Sequence, residues 1–285
     1  MSLLNPHDRE CQRRLAEQLR ALHHGPLPLL LPNAWDTASA LIFARAGAKA
    51  IATTSAGIAA VLGYPDGQHI TPQEMTAAVA RIATVVDLPV SADLEAGYGD
   101  TPQQAGDAAR AALDAGAVGL NLEDTTDSSE GPLLDAERQA QKIRAVRAVG
   151  EETGVPLVIN ARTDIFLAQV GEPERRVQLA AARAKVYHAA GADCIFVPGV
   201  SDPATITHLI AAIDAPLNVL AVPGTPSVSE LQRLGVARIS LGSGPMRAAL
   251  ALTRDIAQEL FEQGTYSAME NAIPYADLCQ LLADG

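Results

Sequence analysis

The chain has 285 residues, 48% of them hydrophobic but only 4% aromatic, and its length suits one α/β barrel. Its 33 acidic against 21 basic residues leave a net charge of −12, which repels nucleic acid and anionic lipid, and no basic patch offsets that field. Cys11, Cys194 and Cys279 lack the spacing of zinc or redox motifs, and the apolar run from Leu27 to Leu31 is too short for a secretory core or a membrane span, so a cytoplasmic protein is expected.

In chain order, residues 5–24 read as a helix that caps the bottom of the fold. Short apolar runs then recur at 28–31, 50–53, 89–92, 118–122, 157–160, 194–197, 217–222 and 237–241. Between them lie alanine-rich stretches with helical spacing, such as 37–46, 102–115 and 173–190. This strand–helix alternation, repeated about eight times, predicts an α/β fold of the (β/α)8 TIM-barrel type. Gly47, Gly116, Gly191 and Gly235 each stand just before a strand, where they end the preceding helix. Two further helices, 245–263 and 274–283, exceed what barrel closure needs, and the surplus is expected to pack on a neighbouring subunit. The predicted organisation is one domain over 1–285, with an N-terminal helix in 1–24, the barrel in 25–250 and a helical extension in 251–285.

The polar signatures follow the strands, on the face where barrel active sites are built. In Ser91-Ala-Asp93-Leu-Glu95, strand alternation places Asp93 and Glu95 on one face with α-carbons roughly 7 Å apart. Two carboxylates in one pocket raise each other's pKa unless a cation neutralises them, so a hard divalent metal is the economical partner. Mg²⁺ keeps several waters, which favours one direct carboxylate and others bound through water. Helix capping by an exposed acid is the competing structural reading. Glu123, beside Asn121, follows the next strand and is within reach of the same metal–water shell; Asp124 is expected to point away or into the following turn. In Asn160-Ala-Arg162-Thr-Asp164 the alternation sets a guanidinium opposite the acids, suited to a carboxylate or developing oxyanion, with an Arg–Asp salt bridge at the rim as the alternative.

Other candidates carry weaker signals. Thr54, Ser55 and Ala56 offer hydroxyls and free amides for a small carboxylate. Asp66 sits in a Tyr-Pro-Asp-Gly turn, Trp35 and Asp36 follow the first strand, and Asn218 and Pro223 lie on the loop side of the seventh. Gly242-Ser-Gly244 fits either a phosphate loop or a tight turn. No Schiff-base lysine is apparent among Lys49, Lys142 and Lys185, and the histidines form no zinc-type cluster.

Taken together, Asn33-Ala-Trp35-Asp36, the Thr54–Gly57 and Gly63–Asp66 segments, Asp93-Leu-Glu95-Ala-Gly-Tyr-Gly, Glu123-Asp124, Asn160-Ala-Arg162-Thr-Asp164 and Gly235-Val-Ala-Arg-Ile-Ser-Leu-Gly242 resemble the isocitrate lyase and phosphoenolpyruvate mutase superfamily, from about residue 25 to 250. The resemblance implies a Mg²⁺-dependent barrel, with Mn²⁺ as the alternative ion. It also implies a homotetramer or dimer of dimers in which a C-terminal helix is exchanged between subunits. By position, Asp93 would bind the metal directly, and Asp66, Glu95 and Glu123 through water. Thr54, Ser55, Ala56 and Arg162 would bind substrate, and Arg162 and Glu123 would serve catalysis; Trp35 and Asn218 join them as substrate-binding candidates from their place after strands, with packing as the alternative. The family commonly has Asp where this chain has Glu95.

The loop after Glu123-Asp124 departs from the family pattern. Family lyases carry Lys-Lys-Cys-Gly-His there, and this chain reads Thr125-Thr-Asp-Ser-Ser-Glu-Gly-Pro-Leu-Leu-Asp135, with neither Cys nor Lys. The expected activity is therefore a Mg²⁺-dependent carbon–carbon lyase or decarboxylase acting on an oxaloacetate-like 2-oxo acid through a stabilised enolate, since decarboxylation asks least of that loop. Phosphoenolpyruvate mutase or phosphonopyruvate hydrolase chemistry is the nearest alternative. Aldol-type cleavage aided by Ser128 or Ser129, and a non-catalytic protein that binds pyruvate, oxaloacetate or 2-oxoglutarate, are the others.

Overall fold

The computed structural model describes residues 8–126 and 131–283. Asp8 accepts from the Cys11 amide and so starts α1 (Arg9–Leu22), a shorter helix than the 5–24 expected, with Asn5 outside the described residues. Leu15, Ala16 and Leu19 of α1 are buried against Leu113, Val118, Leu157 and Val158, and so plug the end of the fold where strands begin.

The first stave is split. Pro32, which has no amide to donate, separates β1 (Leu29–Leu31) from β2 (Asn33–Ala34), and its carbonyl still accepts from the Ala52 amide at 2.9 Å. Then follow α2 (Thr37–Arg45), β3 (Ile51–Thr53), α3 (Ser55–Leu62), α4 (Pro72–Val85), β4 (Val90–Asp93), α5 (Pro102–Asp114), β5 (Gly119–Glu123) and α6 (Ala136–Thr153). The second half holds β6 (Val158–Arg162), α7 (Arg176–Ala189), β7 (Cys194–Phe196), α8 (Pro203–Ala212), β8 (Leu217–Leu220), α9 (Val228–Leu234), β9 (Arg238–Ser240), α10 (Gly244–Gln263) and α11 (Tyr275–Ala283). Every pairing is parallel, in the order β1-β9-β8-β7-β6-β5-β4-β3-β2, so the nine segments make eight staves and the chain closes the ring at Pro32. This is the α/β TIM-type barrel expected.

Local sequence sets where the helices start. Thr71-Pro72 and Thr101-Pro102 open α4 and α5 with capping boxes completed by Glu74 and Gln104, and proline supplies a preset first helical residue. Gly116 and Gly191, at φ 97° and 108°, turn the chain from helix to strand at the bottom. The register then aligns the inward side chains: Asp93 beside Asn121, Asn121 beside Asn160, Glu123 beside Arg162, Arg162 beside Phe196, and Asn218 beside both Phe196 and Arg238. Strand periodicity of two sends these residues to the barrel axis.

The C-terminal extension is loosely attached to its own barrel. Of α10 only Met246 is buried, and α11 rests on α2 with Leu281 buried. Among the described residues no helix is long and apolar enough to cross a membrane.

Gly150 marks a close approach between α6 and the chain entering β6. A Cβ on Gly150 of α6 would stand 2.8 Å from the Val155 carbonyl oxygen, a backbone atom fixed by entry into β6. Gly150→Ala is therefore expected to destabilise the fold by about 1–3 kcal/mol, overriding the gain of roughly 1 kcal/mol from better helix propensity. A lower urea midpoint at unchanged m-value checks this; an unchanged or higher midpoint contradicts it.

Candidate active site

The top of the barrel opens into a cavity of about 150 Å³ lined by Asn33, Thr54, Ser55, Ala56, Asp66, Asp93, Asn121, Asn160, Arg162, Phe196, Asn218, Arg238 and Ser240, among others. Asp93, the last residue of β4, organises its wall. Ser55 donates both its amide (3.0 Å) and its hydroxyl (2.7 Å) to Asp93 Oδ2, and Asn121 Nδ2 donates to Oδ1 at 2.9 Å. Asn160 Nδ2 in turn donates to Asn121 Oδ1 at 3.0 Å, so the carboxylate sets the orientation of two successive amides. An ionised carboxylate offers about four acceptor positions. Three are filled, leaving about one, on Oδ1.

Glu95 reaches the cluster by a different route from the one strand alternation predicts. β4 ends at Asp93, and the chain turns left-handed at Glu95 (φ 50°), Gly97 (φ 90°) and Tyr98 (φ 54°). Positive φ at a glutamate and a tyrosine is backbone strain that the surroundings must hold. Here Gln68 does so: its amide donates to Glu95 Oε2 while its side-chain oxygen accepts from the Tyr98 amide at 2.8 Å. Lys142 adds a clamp from α6, its buried ammonium donating to the carbonyls of Ala96 (3.0 Å) and Gly99 (2.7 Å).

Arg162 is pinned from two sides. Its Nη1 lies 2.7 Å from Glu123 Oε2, and its Nε and Nη2 make a bidentate pair with Asp164 at 2.6 and 2.8 Å. Both sequence alternatives therefore hold together: a salt bridge exists, and it presents the guanidinium to the cavity with Phe196 beneath it, 5.9 Å from ring centre to Cζ. Thr125 Oγ1 also donates to Asp164. Asp124 points away from the cavity as expected, but it is more than a turn residue. Fully buried, it accepts from Arg183 (2.9 Å), Tyr187 (2.7 Å) and the Asp164 amide (2.9 Å), and so anchors the acid that orients Arg162.

The carboxylates fit a hard divalent cation. Burial, with Asp93 next in effect, pushes Glu95 up to about 7; burial, Asp93 and Asp164 push Glu123 up to about 8 against the pull of Arg162. Oxygen donors that resist carrying charge together are the donor set Mg²⁺ or Mn²⁺ takes. Among the described residues no three acids, histidines or cysteines converge closely enough to ligate one ion directly. Asp93 and Asp66 line the cavity, and Glu95 and Glu123 stand close enough to Asp93 to feel its charge. Asp66 lines the cavity from an exposed turn, its side chain accepting from the Gly67 amide.

The remaining sequence candidates divide. Thr54 caps α3 through the Gly57 amide, Ser55 is committed to Asp93, and Ala56 presents the first turn of α3 to the cavity. Asn218 lines the cavity, fully buried. Trp35 does not line it; the indole is half-buried, packed beside Gly57 where an added Cβ would meet its Cβ at 2.9 Å. Asp36 forms a capping box with Ser39. Ser128 and Ser129 lie outside the described residues. Arg183, Tyr187, Lys142, Gln68 and Arg238 were not singled out from sequence. All but Gln68 and Arg238 sit on helices, where spacing alone gives no sign of contact with a strand end.

The family model described as phosphoenolpyruvate phosphomutase matches residues 19–261. An uncharacterised protein of Mycobacterium tuberculosis H37Rv is 37% identical over 264 residues, covering 92% of this chain and 95% of that one. An oxaloacetate decarboxylase of Ectopseudomonas mendocina is 34% identical over 210 residues, 70% of this chain and 68% of that one. Among solved structures, a candidate lyase/mutase of Burkholderia cenocepacia J2315 superposes with a TM-score of 0.90 at 36% identity, covering 96% of this chain and 97% of that one.

The support under Arg162 is open to test. Tyr187→Phe removes a hydrogen bond to the fully buried Asp124 carboxylate and is expected to cost about 1–3 kcal/mol of stability. Thermal unfolding at matched pH checks it; an unchanged Tm contradicts the anchoring role.

Proposed function

This chain belongs to the isocitrate lyase/phosphoenolpyruvate mutase superfamily of lyases and mutases, and from that premise we propose that it decarboxylates a small oxaloacetate-like 2-oxo acid with the aid of Mg²⁺, Mn²⁺ being the alternative ion. The observation that carries the reading is the pairing of Asp93, with about one acceptor position left, and Arg162, locked by Glu123 and Asp164, across one small cavity. A divalent cation would be held by Asp93 directly and by Asp66, Glu95 and Glu123 through water, and would supply Lewis-acid charge for the developing enolate.

The chain's own groups account for the rest. The Ala56 amide, in the first turn of α3, offers a donor to the substrate's C1 carboxylate, while Ser55 stays committed to Asp93. When the C3–C4 bond breaks, its electron pair passes into C2–C3 and charge develops on the C2 oxygen. Arg162, preorganised in a largely buried setting, is positioned to meet that charge without rearrangement. Glu123 and Asp164 hold the guanidinium in that pose, and Asn218 and Phe196 wall the cavity beside it. CO₂ leaves, and water protonates C3. This assignment is consistent with a loop after Asp124 that has neither the Cys nor the Lys of the family lyases.

Exposed Leu250, Leu252, Leu260 and Phe261 on α10 support an assembly, a homotetramer or dimer of dimers, in which the C-terminal helices cover a neighbouring subunit.

Pyruvate release from oxaloacetate in Mg²⁺ is expected to fall at least about 10²-fold in Asp93→Ala relative to wild type. Equal rates contradict the reading. Phosphate release from phosphonopyruvate by wild type, with no pyruvate from oxaloacetate, transfers the site to carbon–phosphorus chemistry.

A further inference from the structure

Below the Asp93–Arg162 level, the cavity reaches a second polar group that none of the chemistry above uses. Arg238 on β9 is 2% exposed and lines the cavity floor, yet its Nε and Nη1 have no hydrogen-bond partner. Asn218, its neighbour in register, is fully buried and leaves Nδ2 unpartnered, while its Oδ1 accepts from Ser240 Oγ at 3.2 Å. Three buried donors thus stand open, against one open acceptor lining the same cavity, Asn160 Oδ1.

Among the described residues no protein group forms an ion pair with this guanidinium, and Asp93 acts on it only through space. No carboxylate among the described residues pairs with Arg238. Asp93 is already committed to Ser55 and Asn121. The nearby Cys194 thiol is pushed up to about 12 by burial, and His23 is pushed down to about 4 by burial and then by Arg238 itself, so both are neutral near pH 7. Burial draws Arg238 down to about 10, which leaves it a cation at that pH. A buried guanidinium with two unpartnered donors is unfavourable, so an acceptor in contact with it would be stabilising.

We propose that Arg238, with Asn218, forms a binding site for a small monovalent anion, halide- or carboxylate-sized, on the floor of the barrel cavity. An excess of donors selects an acceptor-only ligand, and Nε and Nη1, on different edges of the guanidinium, each offer it a single charge-assisted bond. A free anion and the second carboxylate of a dicarboxylic substrate share this chemistry. Occupancy by the free anion does not depend on which acid reacts above it.

Crystals grown in bromide provide the direct test: anomalous scattering is expected at one position in contact with Arg238 Nε or Nη1. In solution, at constant ionic strength, bromide or formate is expected to raise the wild-type Tm saturably. Arg238→Met, which removes the buried charge, is expected to match or exceed wild-type Tm at low anion and to show no saturable rise. A saturable rise with malonate-class dicarboxylates but none with bromide or formate assigns the same site to a substrate's second carboxylate. Ordered water alone at Arg238, together with equal anion responses in wild type and variant, overturns the proposal. Should Arg238→Met fail to fold, the wild-type bromide position still decides.

Discussion

The polar interior of this barrel depends on the negative charge of Asp93. A carboxylate that accepts three hydrogen bonds orients every donor around it: Ser55 at the start of α3, then Asn121, and through Asn121 the amide of Asn160. Because an amide has distinct donor and acceptor ends, the direction set at Asp93 passes from stave to stave and determines which atom each residue shows to the cavity. Replacing the charge would release the amides to flip as well as remove a ligand position. Asp93 is thus both an anchor and a candidate ligand: the anchoring bonds use both oxygens and leave a position on Oδ1.

A second set of contacts keeps Arg162 available. Arginine between two acids could simply be neutralised in place, but here the acids are themselves restrained. Asp164 is held by Thr125 and by its amide's bond to Asp124, and Asp124 by Arg183 and Tyr187 from α7. The result is a fixed cation facing a cluster of carboxylates. Such preorganisation matters for an enolate, whose charge appears only as the carbon–carbon bond breaks. The floor of the same cavity carries the opposite imbalance, an unpaired guanidinium beneath an acid-rich rim.

Much of this was legible in the sequence because strand phase is a strong signal. A period of two, applied at Asn121, Glu123, Asn160 and Arg162, puts each on the axis, and the observed register agrees. Glycine at helix ends marked the lower boundaries for equally local reasons. What escaped was non-local. Glu95 keeps its place near Asp93, but through a strained turn held by Gln68 rather than through the strand. Ser55 turned out to serve Asp93. Trp35 packs beside α3 instead of lining the cavity. The supports Lys142, Arg183 and Tyr187 come from helices whose facing depends on packing, and Arg238 was hidden in a strand run that reads as barrel closure.

In the proposed function Asp93 is the direct protein ligand of one divalent cation, with water completing the shell. Electron paramagnetic resonance of Mn²⁺ titrated into the protein without substrate tests it independently of any reaction. One Mn²⁺ is expected to bind per chain in wild type, displaced by Mg²⁺, and the site is expected to be lost in Asp93→Ala while the variant keeps its fold by circular dichroism. Binding of equal stoichiometry and affinity in a folded Asp93→Ala would contradict it.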